Sequence, residues 1–297
     1  MSWETVETVR IPNGEGIAYR KREGGEVPVL LLHGNLSSSR HWDLLFEHMD
    51  DRFALYAMDL RGFGDSSYEN EFDSLKALAD DVVQFMNAID LERTSLLGWS
   101  AGGGVAMQVA ADVPDRIDRL ALLSPPSTQG LPVYRKDEDL QPTDEVLTTR
   151  EELRADPVSV APALQAIEDG DAAAMTEIWR QAIFVNDEPE ADRFEAYVEA
   201  SLQERCLLDI DYALVHFNIS TEDNAVEPGT GEVDRITAPT LVLRGEDDLV
   251  VPEALVRRAA ADIEDAELVE LPGCGHAPTV DDLDLLLSHL EPFLDPE

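Results

Sequence analysis

Gly98-Trp99-Ser100-Ala101-Gly102 is the stretch of this sequence that decides the fold. It has the pattern G-x-S-x-G, follows an apolar run over 94–97 and precedes a small-residue helical pattern over 103–111. This context predicts a tight turn from a strand into a helix, with the serine hydroxyl raised above a sheet. The glycines fit because side chains two positions either side of the serine would collide with neighbouring elements. The helix that follows directs free N–H groups at Ser100, so the stretch predicts a nucleophile that passes through an oxyanion.

Strand and helix patterns alternate on both sides of this turn. Before it, the strand patterns cover 6–11, 16–20, 27–32 and 53–58, and the helical patterns cover 40–49 and 75–89. After it, the strand patterns cover 117–123, 240–244 and 267–271, and the helical patterns cover 101–111, 253–262 and 281–293. Such alternation predicts the α/β class, with a mostly parallel sheet flanked by helices on both faces.

The alternation is interrupted between the strand patterns 117–123 and 240–244. Strand-like runs nearly vanish there, and helical patterns cover 146–154, 161–168, 172–184, 191–208 and 212–216. We therefore predict a core formed by 1–126 and 235–297 and a helical cap or lid formed by 127–234. Trp179 and Phe184 of this cap, with Trp99 beside the serine, are the candidates for lining a substrate pocket, and packing of the cap on the core is their alternative role.

Candidate partners for the serine follow two late strands. A serine hydroxyl needs a base to accept its proton, and the base needs an orienting carboxylate. In sheets of this class, catalytic groups gather at the carboxyl ends of the strands. The strand pattern 240–244 is followed by Asp247 and Asp248, and the pattern 267–271 by His276. Either aspartate can supply the acid, and the order Ser, Asp, His is one of the known orders for a catalytic triad.

Together these segments resemble the α/β-hydrolase fold family. The matching pieces are His33-Gly34, the stretch 59–66, the Ser100 turn, the stretch 245–252 and Gly275-His276, which span nearly the whole chain outside the insertion. The resemblance implies an eight-stranded, mostly parallel sheet with a helical cap.

The resemblance also assigns the catalytic roles. It implies that Ser100 is the nucleophile, His276 the general base and Asp248 the orienting acid, because the acid of the family usually lies three residues after a glycine, here Gly245. The backbone N–H groups of Asn35 and Ala101 are the candidates for the oxyanion hole. His33 is expected to hold the loop before Asn35 by hydrogen bonding rather than to take part in the chemistry.

The residue at the nucleophile position limits the classes of reaction that the chain is expected to catalyse. Dehalogenases and epoxide hydrolases of the family carry a carboxylate where this chain has Ser100. The sequence therefore predicts a serine hydrolase, carboxylesterase-like, that cleaves a small ester or related carbonyl substrate through an acyl-enzyme, without a cofactor or metal. A cofactor-free haloperoxidase-like enzyme and a carbon–carbon bond hydrolase are alternatives within the family. A non-catalytic ligand-binding protein is the alternative outside enzymes.

The charge balance excludes some partners. The 297 residues include 62 Asp and Glu against 22 Lys and Arg, for a net charge of -40, and lysine occurs only at 21, 76 and 136. This charge argues against binding nucleic acid or an anionic membrane surface. The spread of acids and the shortage of lysine resemble the composition of halophilic proteins. An ordinary acidic cytosolic protein is the alternative.

Other sequence features concern the cellular location of the protein, its cysteines and its oligomeric state. The sequence contains no apolar run of about 18 residues, so no membrane span is predicted. The polar start of the chain also lacks the apolar core of a signal peptide. We therefore expect a cytoplasmic protein that acts on a small-molecule substrate. Cys206 and Cys274 are expected to be reduced thiols. The sequence leaves the oligomeric state open, with a homodimer among the options.

Overall fold

In the computed structural model, which describes residues 4–295, eight strands form one sheet. The strands are β1 (Glu7–Arg10), β2 (Gly16–Arg22), β3 (Val27–Leu32), β4 (Phe53–Met58), β5 (Thr94–Trp99), β6 (Ile117–Leu123), β9 (Thr240–Gly245) and β10 (Ala266–Leu271), and β7 (Tyr134–Lys136) and β8 (Pro142–Val146) form a separate hairpin. The order across the sheet is β1-β2-β4-β3-β5-β6-β9-β10. β2 runs antiparallel to β1 and β4, and the other neighbours are parallel, which confirms the predicted class.

Helices cover the sheet and fill the long connection between β6 and β9. Over the described residues they are α1 (Asp43–His48), α2 (Leu75–Ala88), α3 (Ala101–Asp112), α4 (Arg150–Arg154), α5 (Val160–Asp169), α6 (Ala172–Ala182), α7 (Ala191–Ser201), α8 (Leu207–Val215), α9 (Glu253–Asp262), α10 (Pro278–Asp281) and α11 (Leu283–Leu294). Of these helices, none has the length and apolar character that crossing a membrane requires.

The central strand β3 is buried on both faces of the sheet. Leu30 and Leu32 pack into a core with α2 and α3. Val29 and Leu31 point the other way, into a core that includes residues of α1 and α11. Since neighbouring residues of a strand face opposite sides, a continuous apolar run is what such a position requires. These two cores fix the carboxyl ends of β3 and β5 side by side, where the candidate site lies.

The insertion, defined here as residues 124–239 between β6 and β9, differs from its prediction at its start. A β-hairpin of β7 and β8 stands where no strand is expected. Its turn is fixed by the side chain of Asp137, whose Oδ1 accepts hydrogen bonds from the backbone N–H groups of Asp139 and Gln141. The hairpin strands are largely polar and carry no apolar alternation, so the sequence gives no strand signal.

Two helices of the insertion are also shorter than predicted. The predicted helix 146–154 is wrong over 146–149, because Val146 ends β8 and Thr149 caps α4 through a hydrogen bond from the Glu152 N–H. The predicted helix 191–208 is broken after Ser201, and α8 begins only at Leu207. The break follows from tertiary contacts, because the N–H of Arg205 donates to the carbonyl of Gly62 in the core.

Candidate active site

Ser100 lies in the turn between β5 and α3 in a strained backbone conformation. Its φ of 53° and ψ of -125° are unusual for a residue with a side chain. The turn is held by a 2.9 Å hydrogen bond from the Ser100 N–H to the Leu123 carbonyl. A Cβ on Gly98 would collide with the backbone of Gly102, and a Cβ on Gly102 with the backbone of Leu32. The steric reason predicted for the glycines of the motif is therefore confirmed.

Asp248 and His276 meet across the ends of β9 and β10. The Nδ1 of His276 lies 2.9 Å from Oδ2 and 3.0 Å from Oδ1 of Asp248, and both side chains are buried. Of the two candidate acids, the structure therefore brings Asp248 to the histidine. Asp247 is exposed, and its carboxylate accepts a hydrogen bond from the side chain of Asn186.

The surroundings of Asp248 stabilise its ionised form. Burial alone would raise the pKa of Asp248, but the charge and hydrogen bond of His276 and the backbone N–H groups of Val250 and Val251 outweigh it, so the pKa is lowered. The ionised carboxylate places the proton of a neutral His276 on Nδ1, which leaves Nε2 free to accept a proton. This is the arrangement that a general base requires.

Trp99 joins the histidine to the serine turn. Its indole Nε1 donates a 2.8 Å hydrogen bond to the His276 carbonyl, and the two rings are 5.7 Å apart between centroids. Since Trp99 directly precedes Ser100, this contact holds the His276 loop beside the serine. Ser100 and His276 are 9% and 1% exposed, so the pair is enclosed rather than open to bulk water.

The loop after β3 runs directly past Ser100. A Cβ on Gly34 would lie only 2.9 Å from the Ser100 Cβ and 3.5 Å from its Oγ, so the backbone approaches the serine where no side chain fits. His33 holds this loop, since its Nε2 accepts a 3.0 Å hydrogen bond from the Leu60 N–H and its Nδ1 lies 2.8 Å from the Gly34 carbonyl. Burial lowers the pKa of His33, which favours the neutral ring. The structure thus places Asn35 and Ala101 on the two backbone segments that border the serine.

Three residues of the insertion contact this loop and were missed in the sequence. The side chain of Asn35 donates a 3.0 Å hydrogen bond to Asp211. The N–H of Leu36 donates to Glu204 at 2.9 Å, and the hydroxyl of Ser201 donates to the Leu36 carbonyl at 2.5 Å. Glu204 and Asp211 carried no sequence signal, because they are two acids among 62 with no motif around them.

The candidate pocket residues belong to a cluster of stacked rings. Trp179 lies 6.3 Å from Trp99 and 5.0 Å from Phe184, between ring centroids. His41 stacks on Trp179 and Tyr197 at 5.0 and 4.3 Å. Trp179 is 1% and Phe184 5% exposed, and both pack in the same core as Trp99. The packing role is therefore observed, while contact with a substrate stays a prediction.

The two cysteines are separate from this chemistry. Cys206 and Cys274 are both buried, and neither forms a disulfide in the part of the chain that the structure describes. Burial, followed by nearby carboxylates, raises the pKa of the Cys274 thiol to about 11. The thiol next to the His276 loop is thus protonated near neutral pH and is a poor nucleophile.

Comparison with known proteins identifies similar chains over almost the whole length. The family model for the alpha/beta hydrolase fold matches residues 27–283. A pimeloyl-[acyl-carrier protein] methyl ester esterase of Nitrosospira multiformis is 26% identical over 278 residues, which cover 91% of this chain and 95% of the esterase. A putative carbamate hydrolase, RutD, of Agrobacterium fabrum is 26% identical over 289 residues, which cover 93% of this chain and 96% of that protein.

Solved structures agree with these matches. A hydrolase from Pseudomonas aeruginosa superposes with a TM-score of 0.73 at 25% identity, and the match covers 97% of this chain and 98% of the hydrolase. An esterase from Exiguobacterium antarcticum superposes with a TM-score of 0.74 over 98% of this chain and 99% of its own, at 18% identity. The second likeness concerns the fold alone.

Proposed function

The chain belongs to the alpha/beta hydrolase fold family, and from this premise we propose that it is a serine hydrolase, carboxylesterase-like, that cleaves a small ester or related carbonyl substrate. The observation that carries the proposal is the buried hydrogen bond between Asp248 and His276, at 2.9 Å, beside the strained turn of Ser100. Strain at a buried polar residue marks functional sites, because the surrounding structure must stabilise it.

In the proposed mechanism, the Ser100 Oγ attacks the carbonyl carbon while the Nε2 of His276 takes the hydroxyl proton. The imidazolium that forms is stabilised by Asp248, which keeps its negative charge throughout. The tetrahedral oxyanion accepts hydrogen bonds from the backbone N–H groups of Asn35 and Ala101. Collapse of this intermediate expels the alcohol, which receives the proton from His276, and leaves an acyl-enzyme on Ser100.

Deacylation repeats these steps with water as the nucleophile. His276 takes a proton from the water as its oxygen attacks the acyl carbonyl, and then returns that proton to the Ser100 oxygen as the acid product leaves. His276 accepts and returns every proton in this scheme, so no other general acid or base is required.

We further propose that residues 127–234 act as a cap over the site. The contacts of Ser201 with Leu36 and of Trp179 with Trp99 support this role, because they place the segment against the loop and the strand that border Ser100. Under this proposal, Trp99, Trp179 and Phe184 border an apolar pocket for the acyl or alcohol group. The high negative charge of the chain also supports a small molecule rather than nucleic acid as the substrate.

A fluorophosphonate probe tests the proposal, because it labels only an activated serine. We expect the wild-type protein in molar KCl to be labelled at Ser100 and to hydrolyse p-nitrophenyl butyrate. Ser100→Ala should abolish both signals, while Ser288→Ala, a change on the exposed surface of α11, should leave both unchanged. A folded wild-type protein that is not labelled would contradict the hydrolase and favour a protein that only binds its ligand.

A further inference from the structure

The backbone N–H and carbonyl of Leu36 are both held by residues of the insertion. Its N–H donates to the Oε2 of Glu204 at 2.9 Å, and its carbonyl accepts from the hydroxyl of Ser201 at 2.5 Å. Leu36 has a φ of 53°, in the left-handed region that residues with a side chain rarely adopt. A backbone in such a conformation persists only when its surroundings fix it. The two contacts from the insertion are part of these surroundings.

The preceding residue is held from the insertion as well. The side-chain amide of Asn35 donates to the Oδ1 of Asp211 at 3.0 Å, and its Oδ1 accepts from the Leu36 N–H at 3.0 Å. Asp211 is on α8, Ser201 is the last residue of α7, and Glu204 lies in the turn between these two helices. Residues of two insertion elements thus contact Asn35 and Leu36, next to the Gly34 backbone that touches Ser100.

The carboxyl group of Glu204 is buried, and only one of its two oxygens is hydrogen-bonded within the described residues. The residue is 2% exposed, and its Oε1 has no hydrogen-bond partner within residues 4–295. Burial, and then the nearby Asp211, raise the pKa of Glu204 well above its ordinary value, against the weaker influences of the Leu36 N–H and of Arg205. A buried carboxyl that offers one acceptor oxygen to Leu36 is a costly way to stabilise a fold, since an apolar residue would fill the same space without desolvation.

We propose that Glu204, assisted by Ser201 and Asp211, positions the oxyanion loop, so that the insertion is part of the catalytic apparatus and not only a cover. This inference rests on the proposed function, since it needs the N–H of Asn35 to stabilise the oxyanion. Such positioning matters because catalytic hydrogen-bond donors must be held to within about half an ångström of their productive positions. Loss of the Glu204 contact leaves the Leu36 N–H with the Asn35 Oδ1 as its remaining acceptor, so the backbone of Leu36 and the neighbouring Asn35 N–H are held less firmly.

Two substitutions at one position separate positioning from packing. Glu204→Gln keeps a carbonyl oxygen that can accept from the Leu36 N–H, whereas Glu204→Leu fills the space and offers no acceptor. Gln203→Leu is the matched control, since it makes a similar change at an exposed side chain in the same turn. Each purified protein is assayed for kcat and KM with p-nitrophenyl butyrate, for the rate of fluorophosphonate labelling and for Tm.

We expect Glu204→Leu to lower kcat and the labelling rate by about tenfold or more, which is less than the full loss of one oxyanion donor. KM and Tm should stay close to the wild-type values, and Glu204→Gln and Gln203→Leu should retain most of the activity. If Glu204→Leu has wild-type kcat and labelling rate, the positioning role is wrong while the hydrolase stands. If the wild-type protein is neither labelled nor active, the proposed function fails, and this inference fails with it.

A second position keeps the test decisive if Glu204→Leu does not fold. Asp211→Leu removes the acceptor of the Asn35 side chain without touching Leu36. Positioning by the insertion predicts a several-fold fall in kcat for this variant with KM unchanged. A fall confined to KM, or an unchanged kcat in a folded Asp211→Leu protein, would overturn the proposal.

Discussion

At the scale of the residue, the two aspartates after β9 differ only in where their side chains point. Asp248 is buried against His276, while Asp247 is exposed at the surface. The neighbouring positions have the same chemistry in the sequence, so only the course of the backbone separates them. A pair of matched substitutions can therefore test which carboxylate serves His276.

We expect Asp248→Asn to lower kcat by roughly 10⁴, because an amide at this position favours the wrong tautomer of the histidine. Asp247→Asn should leave kcat within about twofold of wild type, since its side chain faces solvent. Steady-state hydrolysis of p-nitrophenyl butyrate gives both values, and circular dichroism shows whether each variant is folded. A large loss in Asp247→Asn, together with a small one in Asp248→Asn, would reverse the assignment of the acid.

The ionisation of Asp211 leads to a prediction about stability. Burial, and then the charge of Asp156, raise the pKa of Asp211 from 3.8 to about 7. The native state therefore binds more protons than the unfolded state between these two values. Stability consequently falls as the pH rises through this window, by at most about 1.4 kcal/mol per pH unit for one proton. The carboxyl faces the amide of Asn35 and lies near Glu204, and none of these groups carries a compensating positive charge.

Asp211→Asn removes this titration, so its unfolding free energy should fall less than that of wild type between pH 4 and about 7. Urea titrations at several pH values measure the two slopes. Asp192→Asn, a change at an exposed position of α7, should follow the wild-type slope. Parallel curves for wild type and Asp211→Asn would show that Asp211 does not retain its proton in the folded protein.

At the scale of the element, the turn from β5 into α3 leaves no room for added atoms. A Cβ at Gly98 would collide with the backbone of α3, whereas a Cβ at Gly16 on β2 would make an ordinary contact of 3.5 Å with Thr8. We expect Gly98→Ala to destabilise the protein by about 1–3 kcal/mol, the usual cost of overpacking. Gly16→Ala should change stability by less than about 1 kcal/mol.

Urea denaturation of the two glycine variants checks this prediction, with fluorophosphonate labelling as a second readout. Movement of the turn in Gly98→Ala should also slow labelling, because the strained position of Ser100 is lost. Equal urea midpoints for Gly98→Ala and Gly16→Ala would mean that the turn can shift to accommodate a Cβ at position 98 without loss of stability.

The elements that the sequence predicts well are those with a local cause. The β3 and β5 strands begin where predicted, β3 because its apolar run suits a doubly buried strand and β5 because it leads directly into the G-x-S-x-G turn. The break between α7 and α8 could not be predicted, because its cause is distant in the sequence. After α7 ends at Ser201, Glu204 accepts a hydrogen bond from the Leu36 N–H, and the Arg205 N–H donates to the Gly62 carbonyl. The same reasoning explains the site, where the catalytic candidates follow a motif and Glu204 does not.

At the scale of the whole molecule, the three lysines are already paired with carboxylates. All three lysines lie within 3.2 Å of carboxylates, as in the contacts of Lys21 with Glu23, Lys76 with Asp112 and Lys136 with Asp156. The net charge of -40 is therefore an excess of acids without basic partners to balance them. Folding brings these carboxylates closer together than in the unfolded chain, so their repulsion works against the native state.

Salt should relieve this repulsion. The Debye length falls from about 30 Å at 0.01 M to about 3 Å at 1 M, so screening becomes effective over distances between surface carboxylates. We expect Tm to rise markedly from dilute buffer to molar KCl, with most of the gain at ionic strengths where the screening length falls below about 10 Å. Differential scanning calorimetry measures the curve, and sucrose at matched osmolality provides the control for effects other than screening. A Tm that is flat in KCl, or that rises equally in sucrose, would show that repulsion among the carboxylates does not limit the stability of this fold.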